Sequence, residues 1–187
     1  METFLRKNYP QYNFVSSTTK CLNTPTSSLQ EFENDYKYIC LDYNLNHNKK
    51  FLSELSENGY SDKVEILVNA ICPPGCPSRK KHYDANGLSS LNYGKKYGVF
   101  CGIDKNNLHP TVQNYANNLS PQECWDYAEK YGIKYFKLEG RTFSRLNLIL
   151  NYARYLVKPE YEHTFILEIF EKAAEFDQQF AQFKQPV

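Results

Sequence analysis

Apolar positions along the chain fall into two rhythms. Short dense runs occur at "YNFVSST" (12–18), "KYICLDYN" (37–44), "KVEILVNA" (63–70) and "IKYFKLEG" (133–140). Each is bounded by polar or turn-forming residues and reads as a strand. The third is nearly continuous in apolar residues, the pattern of a strand buried on both faces. Between these runs the spacing lengthens to three and four. Residues 24–36 place Leu29, Phe32 and Tyr36 on one helical face, with threonine and serine able to cap. Residues 46–60 form a second helix, stopped at Asn58-Gly59. Residues 119–132 carry the clearest helix start: Ser120 as cap, Pro121 in the first helical position, Glu123 completing a capping box, and Gly132 as the stop. Residues 141–157 and 161–183 are amphipathic helices separated by Pro159. The middle is less regular. Residues 78–98 start helical and fray at their glycines, and 99–118 read as loop with a short strand at Val99–Cys101.

Strands alternating with helices predict an α/β protein with a parallel sheet and right-handed crossovers. Four strand–helix units are present, and a complete eight-stranded TIM-type barrel takes about 250 residues. The expectation is therefore a partial, half TIM-like barrel or a small open sheet, with a long C-terminal helix. It is read as a single domain over 1–187: strand–helix units over 1–158 and the C-terminal helix over 159–187. A half barrel leaves two strand edges open. They would be covered by a second copy in a homodimer, by a separate N-terminal half, or by the last helix.

Composition narrows the function classes. Hydrophobic residues make up 41% of the chain, enough for a packed core. The 22 basic and 21 acidic residues leave a net charge of +1, which gives no general attraction to nucleic acid or to membranes. No apolar run approaches the roughly 18 residues of a membrane span. The start "METFLRKNYPQY" lacks the apolar core of a secretion signal. The six cysteines are too few for a secreted disulfide framework and read as reduced thiols, with a cytoplasmic location expected.

Candidate chemistry follows from topology, because parallel α/β proteins work at the C-terminal ends of their strands. Those ends are polar here. The first strand leads to Cys21 through serines and threonines, the second ends at Asp42, the third at Asn69 with Cys72 and Cys76 behind it, and the fourth at Lys137, Glu139 and Arg141. Glu139 and Arg141 flank Gly140 at a strand-to-helix turn. Together they suit a carboxylate or phosphate near a helix start, or simply pair with each other. Asp42, Asn69, Arg79 and His82 are candidates for ligand contact. The run Arg79, Lys80, Lys81 sits at a helix start, where cations oppose the dipole; anion binding and a solvated face are the two readings. Cys72, Cys76, Cys101 and Cys21 together would hold zinc or an iron–sulfur cluster. Alternatively, the first two only flank a tight turn around Pro73, Pro74 and Gly75. Cys40 and Cys124 fall inside elements and read as core thiols. No Ser–His–Asp order, nucleophile elbow, P-loop or dinucleotide fingerprint is present.

The stretch "YFKLEGRTFSRLNLILNYARYLVKPEY" resembles the collagenase-like peptidase family, which also includes bacterial factors for ubiquinone hydroxylation and for tRNA or rRNA hydroxylation. The likeness is good over 134–157 and looser at "YICLDYN" and "VEILVNAICPPGC". It implies a barrel-like fold, Lys137, Glu139 and Arg141 as the strand-end motif, and in several members a four-iron four-sulfur cluster on four cysteines. Hydrolysis or iron–sulfur-dependent hydroxylation of a small-molecule or peptide substrate would follow. The cysteine spacing here is not the family's usual one, and the chain looks like the C-terminal half of such a barrel. The rival reading is a non-catalytic binding or assembly protein that completes its barrel with a partner. Its interface would be Phe165, Phe170, Phe176, Phe180 and Phe183 on the last helix.

Overall fold

The computed structural model describes residues 2–92, 95–98, 116–140 and 145–183; for Arg145 and for 176–183 only the helical backbone is described. Cys101, Arg141 and the expected short strand at 99–101 lie outside the described residues. The chain forms two compact units, Met1–Ile103 with Gln113–Glu139, and Asp104–Val112 with Gly140–Val187.

The first unit holds a four-stranded sheet among the described residues, β1 (Val15–Ser16), β2 (Tyr38–Cys40), β3 (Val64–Leu67) and β4 (Tyr135–Lys137). All pairings are parallel and the spatial order is the chain order. A doubly wound sheet reverses its order at a switch point, and this one does not. The helices of this unit are α1 (Glu2–Asn8), α2 (Pro25–Leu29), α3 (Lys49–Glu57), α4 (Arg79–Leu91) and α5 (Pro121–Tyr131). The mixed α/β class and the parallel sheet are as the hydrophobic pattern implied.

Local chemistry sets the helix ends. Thr24 and Ser27 form a capping box on α2, and Ser120 and Glu123 form one on α5. Asn48 caps α3 by accepting from the Phe51 amide. Gly132 ends α5 at a φ of +69°, a conformation that glycine adopts without strain. Two departures have clear causes. The region 24–36 is a short α-helix followed by a 3-10 turn at Gln30–Glu33, so the apolar face continues with tighter winding. α4 continues through Gly87, because a single glycine costs only about 1 kcal/mol against alanine. The N-terminal α1 had no strong apolar rhythm; its Arg6 side chain bridges Glu2 and the Asp35 carbonyl and lies over the Phe14 and Tyr36 rings.

The register sorts the sheet into two unlike faces. Ser16, Ile39, Val64 and Ile66 share one face, and all are buried. Phe51, Leu52 and Leu55 of α3 and Tyr127 and Tyr131 of α5 are buried as well, and α3 packs on α5. The other face carries Val15, Tyr38, Cys40, Glu65, Leu67, Tyr135 and Lys137. On it the Tyr38 and Tyr135 rings meet at 4.5 Å and Lys137 pairs with Glu65 at 3.0 Å. Cys40 and Leu67 are buried there, whereas Tyr135 is exposed.

In the second unit α6 (Arg145–Leu156) packs against the long C-terminal helix α7 (Pro159–Phe183). Asn151 and Ala153 of α6 are buried. Phe165, Ile166, Ile169 and Ala173 of α7 are half-buried, while Phe170 is exposed; the side chains of Phe176, Phe180 and Phe183 lie outside those described. No helix among the described residues is long and apolar enough to cross a membrane.

Candidate functional site

The strand ends of the first unit divide into two flanks. The first joins β1, β2 and α4. Asp42 follows β2, and its side chain is fully buried. One carboxylate oxygen accepts from the backbone and side-chain amides of Asn44, at 3.0 and 2.9 Å. The other accepts from the Arg79 guanidinium at 2.6 Å. Arg79 donates again to the Thr18 carbonyl at 2.7 Å, and its guanidinium lies 3.9 Å above the Tyr43 ring. Burial works against the Arg79 charge. The Tyr83 hydrogen bond, Asp42 and the two tyrosines outweigh it and hold Arg79 above the ordinary arginine range. Cations are disfavoured at a helix start. Arg79 escapes that cost by turning inward onto Asp42, while Lys80 stays exposed and pairs with Asp84. Two residues expected to contact a ligand are thus each other's partners. His82 is half-buried on the same helix.

The second flank joins β3 and β4. Asn69 is buried, and its carboxamide meets Glu139 in both directions. Asn69 Nδ2 donates to the Glu139 carbonyl at 2.9 Å, and the Glu139 amide donates to Asn69 Oδ1 at 2.7 Å. A side chain therefore continues the ladder where β3 and β4 stop pairing. The loop beyond carries Cys72 and Cys76. Cys72 packs against the cluster of Cys40, Tyr43, Leu67 and Ala70. Its carbonyl accepts from Asn117 Nδ2 at 3.4 Å. Asn117 is linked in turn to Asn46, whose Nδ2 donates to the Leu67 and Asn117 carbonyls. Burial pushes the Cys72 thiol up and the Tyr43 hydroxyl pulls it back, while Cys76 and Glu139 raise it and Arg79 lowers it.

Tyr43 is buried, with its hydroxyl beside the Cys72 thiol; Asn46 Oδ1 and Asn117 Oδ1 are buried with no hydrogen-bond partner among the described residues. Unspent buried polar atoms suit ordered water or the polar atoms of a ligand. The turn between the cysteines is closed by the Cys76 amide donating to the Pro73 carbonyl at 3.3 Å, with Gly75 at a φ of +64°. Gly75 also donates to Asn44 Oδ1, joining the two flanks.

The other expected residues fall elsewhere. Cys21 takes a left-handed conformation after β1, and its thiol faces the Thr19 carbonyl at 3.6 Å. It does not group with Cys72 and Cys76: among the described residues no three of His, Cys, Asp and Glu are placed to hold a metal. With Cys101 outside the described residues, two of the four expected thiols share a loop. Lys137 points along the mixed face of the sheet to Glu65 rather than toward the strand end. Cys40 is buried in the core and Cys124 is half-buried, each pushed up to about 12 by burial.

Sequence reasoning missed Asn46, Asn117 and Tyr83. The pattern reads Asn46 as the start of the helix over 46–60 and Asn117 as part of the loop over 99–118. Only the cap at Ser120, just after Asn117, marked that stretch as ordered. Comparisons of the chain with protein families, with characterised proteins and with solved structures give no match.

Proposed function

We propose that this chain binds a small or peptidic ligand at the surface beyond the C-terminal ends of β2, β3 and β4. In this reading Cys72 and Cys76 form one wall and Glu139 the other, and Arg141, which lies outside the described residues, is a candidate from the sequence alone. The observation that carries it is the Asn69–Glu139 clamp, which fixes the β4 end beside the Cys72 loop, where buried polar atoms remain unspent. Arg79 and Lys137, the two cations expected at this end, already have carboxylate partners. The thiols would hold zinc or an iron–sulfur cluster with Cys101 as a further ligand, and the resemblance over 134–157 points to hydrolysis or hydroxylation as the reaction. Anaerobic purification with metal analysis tests this. Iron or zinc lost on substituting Cys72 supports the metal; a metal-free chain whose six thiols all titrate freely removes it. Glu139→Gln and Arg141→Ala variants that bind every ligand as the parent does would take the site away from that loop.

A second reading rests on the sheet. Four parallel strands in chain order among the described residues, with a mixed polar and aromatic face, would suit half of a closed barrel. In that reading the chain works by completing the barrel with a second copy or a separate N-terminal half. Native mass decides: a strict monomer at micromolar concentration excludes the second copy.

A further inference from the structure

We propose that α1 is a charge-held strap across the starts of β1 and β2, which lifts while the sheet stays folded. The seven residues of α1 dock in an inverted sense. A helix on a protein surface usually turns its apolar side to the core. Here no residue of α1 is buried, and Phe4 and Leu5 are exposed, Phe4 at 62%. Tyr9 and Tyr12, just beyond the helix, are exposed as well. The docked side carries Glu2 and Arg6, which pair with each other at 2.9 Å. Little apolar burial therefore favours the docked position.

Those two side chains make the polar attachments to the rest of the fold. Arg6 donates to the Asp35 carbonyl at 2.8 Å, and its guanidinium lies 4.4 Å from the Phe14 ring and 4.8 Å from the Tyr36 ring. Glu2 accepts from the Tyr36 hydroxyl at 2.5 Å and stands 3.9 Å from the Lys20 amine. Phe14 precedes β1, and Asp35 and Tyr36 precede β2, so the strap crosses the entry to both strands. Beneath it the fold is braced without its help. Ser16 and Lys20 both meet the Glu31 carboxylate, and Lys20 also donates to the Tyr36 hydroxyl at 2.7 Å. A helix of this length does not hold its shape alone in water, so lifting unwinds it. Closure rests on partly exposed ion pairs, which salt screens. Opening takes the acceptor from the Tyr36 hydroxyl and uncovers the Phe14 and Tyr36 rings.

Hydrogen exchange of the full chain, followed by NMR, tests this. The Tyr9 amide is the reporter, since it donates to the Leu5 carbonyl at 2.8 Å and so follows the helix. The amides of β3 report the fold as a whole. The expected result is that Tyr9 protection falls about three-fold or more between about 50 mM and about 1 M sodium chloride, while β3 protection holds. Arg6→Gln removes Tyr9 protection at both salt concentrations and leaves β3 as it was. Phe4→Ser, on the exposed side of the helix, changes neither. Tyr9 protection that is indifferent to salt, kept in Arg6→Gln or lost in Phe4→Ser overturns the proposal, because apolar contacts would then hold the helix. So does a matching fall at Tyr9 and β3, because α1 would then open only with the whole fold.

Discussion

The two flanks of the strand-end surface are built from the same kinds of residue and do opposite things with them. On the β1–β2 side, Asp42 and Arg79 are buried, matched in charge and bonded to several neighbours. On the β3–β4 side, Asn69 is bonded to the backbone of Glu139, the Cys72 thiol sits beside the Tyr43 hydroxyl, and Asn46 Oδ1 and Asn117 Oδ1 are buried with no hydrogen-bond partner among the described residues. A polar residue at a strand end is therefore not in itself a binding group. What matters is whether its hydrogen-bonding capacity is already used. The first flank is a brace that holds β1, β2 and α4 in place; the second keeps unspent chemistry.

The sharpest way to break this contrast is to cut the brace. Asp42→Ala leaves Arg79 buried without its counter-charge, and Arg79→Met leaves Asp42 in the same position. Each is expected to cost about 3–5 kcal/mol of stability, the usual penalty for an orphaned buried charge. Urea denaturation measures it. A loss under 1 kcal/mol for both would mean that the pair is not a brace. The double replacement should recover much of the loss, since removing both charges removes the orphan.

A smaller effect is expected at the clamp. Asn69→Ala removes two hydrogen bonds to the Glu139 backbone, for an expected loss of about 1–3 kcal/mol. Asn69→Asp keeps the acceptor for the Glu139 amide but opposes its carbonyl, so it should fare worse than alanine near neutral pH and recover as the carboxylate is protonated. Equal stability of the aspartate variant at pH 4 and pH 7 would show that the clamp is not read through these two bonds.

Much of this was legible in the chain, and the limits are physical. The strand runs, the capping box at Ser120 and Glu123, and the stop at Gly132 stand out because they depend on neighbours a few residues away. Asp42 and Asn69 could be placed at strand ends for the same reason. Their partners could not. Asp42 meets Arg79 across 37 positions and Asn69 meets Glu139 across 70, and no local rhythm carries such pairings. The basic run 79–81 shows the difficulty within one turn of helix: Arg79 turns into the core while Lys80 faces solvent, and only the site opposite each decides which.

The smallest predicted effect tests whether the flanks are separable, because Tyr43 touches both. Its ring lies under Arg79 and its hydroxyl beside Cys72. Tyr43→Phe keeps the ring and removes the hydroxyl. A hydroxyl beside a neutral thiol makes at most a weak hydrogen bond, so stability should change by no more than about 1 kcal/mol. The thiol should respond. Burial holds Cys72 above the ordinary thiol range and the hydroxyl works the other way, so its loss moves the ionisation further up. Less thiolate is then present at any given pH below that ionisation, and alkylation of Cys72 by iodoacetamide at pH 8 should slow by a few-fold. The rise of its rate with pH, already displaced upward from that of a free thiol, should shift higher again. Slower alkylation at unchanged stability separates the reactive flank from the brace. A stability loss matching that of Asp42→Ala would instead make Tyr43 part of one indivisible network, and the contrast between the flanks would fall with it.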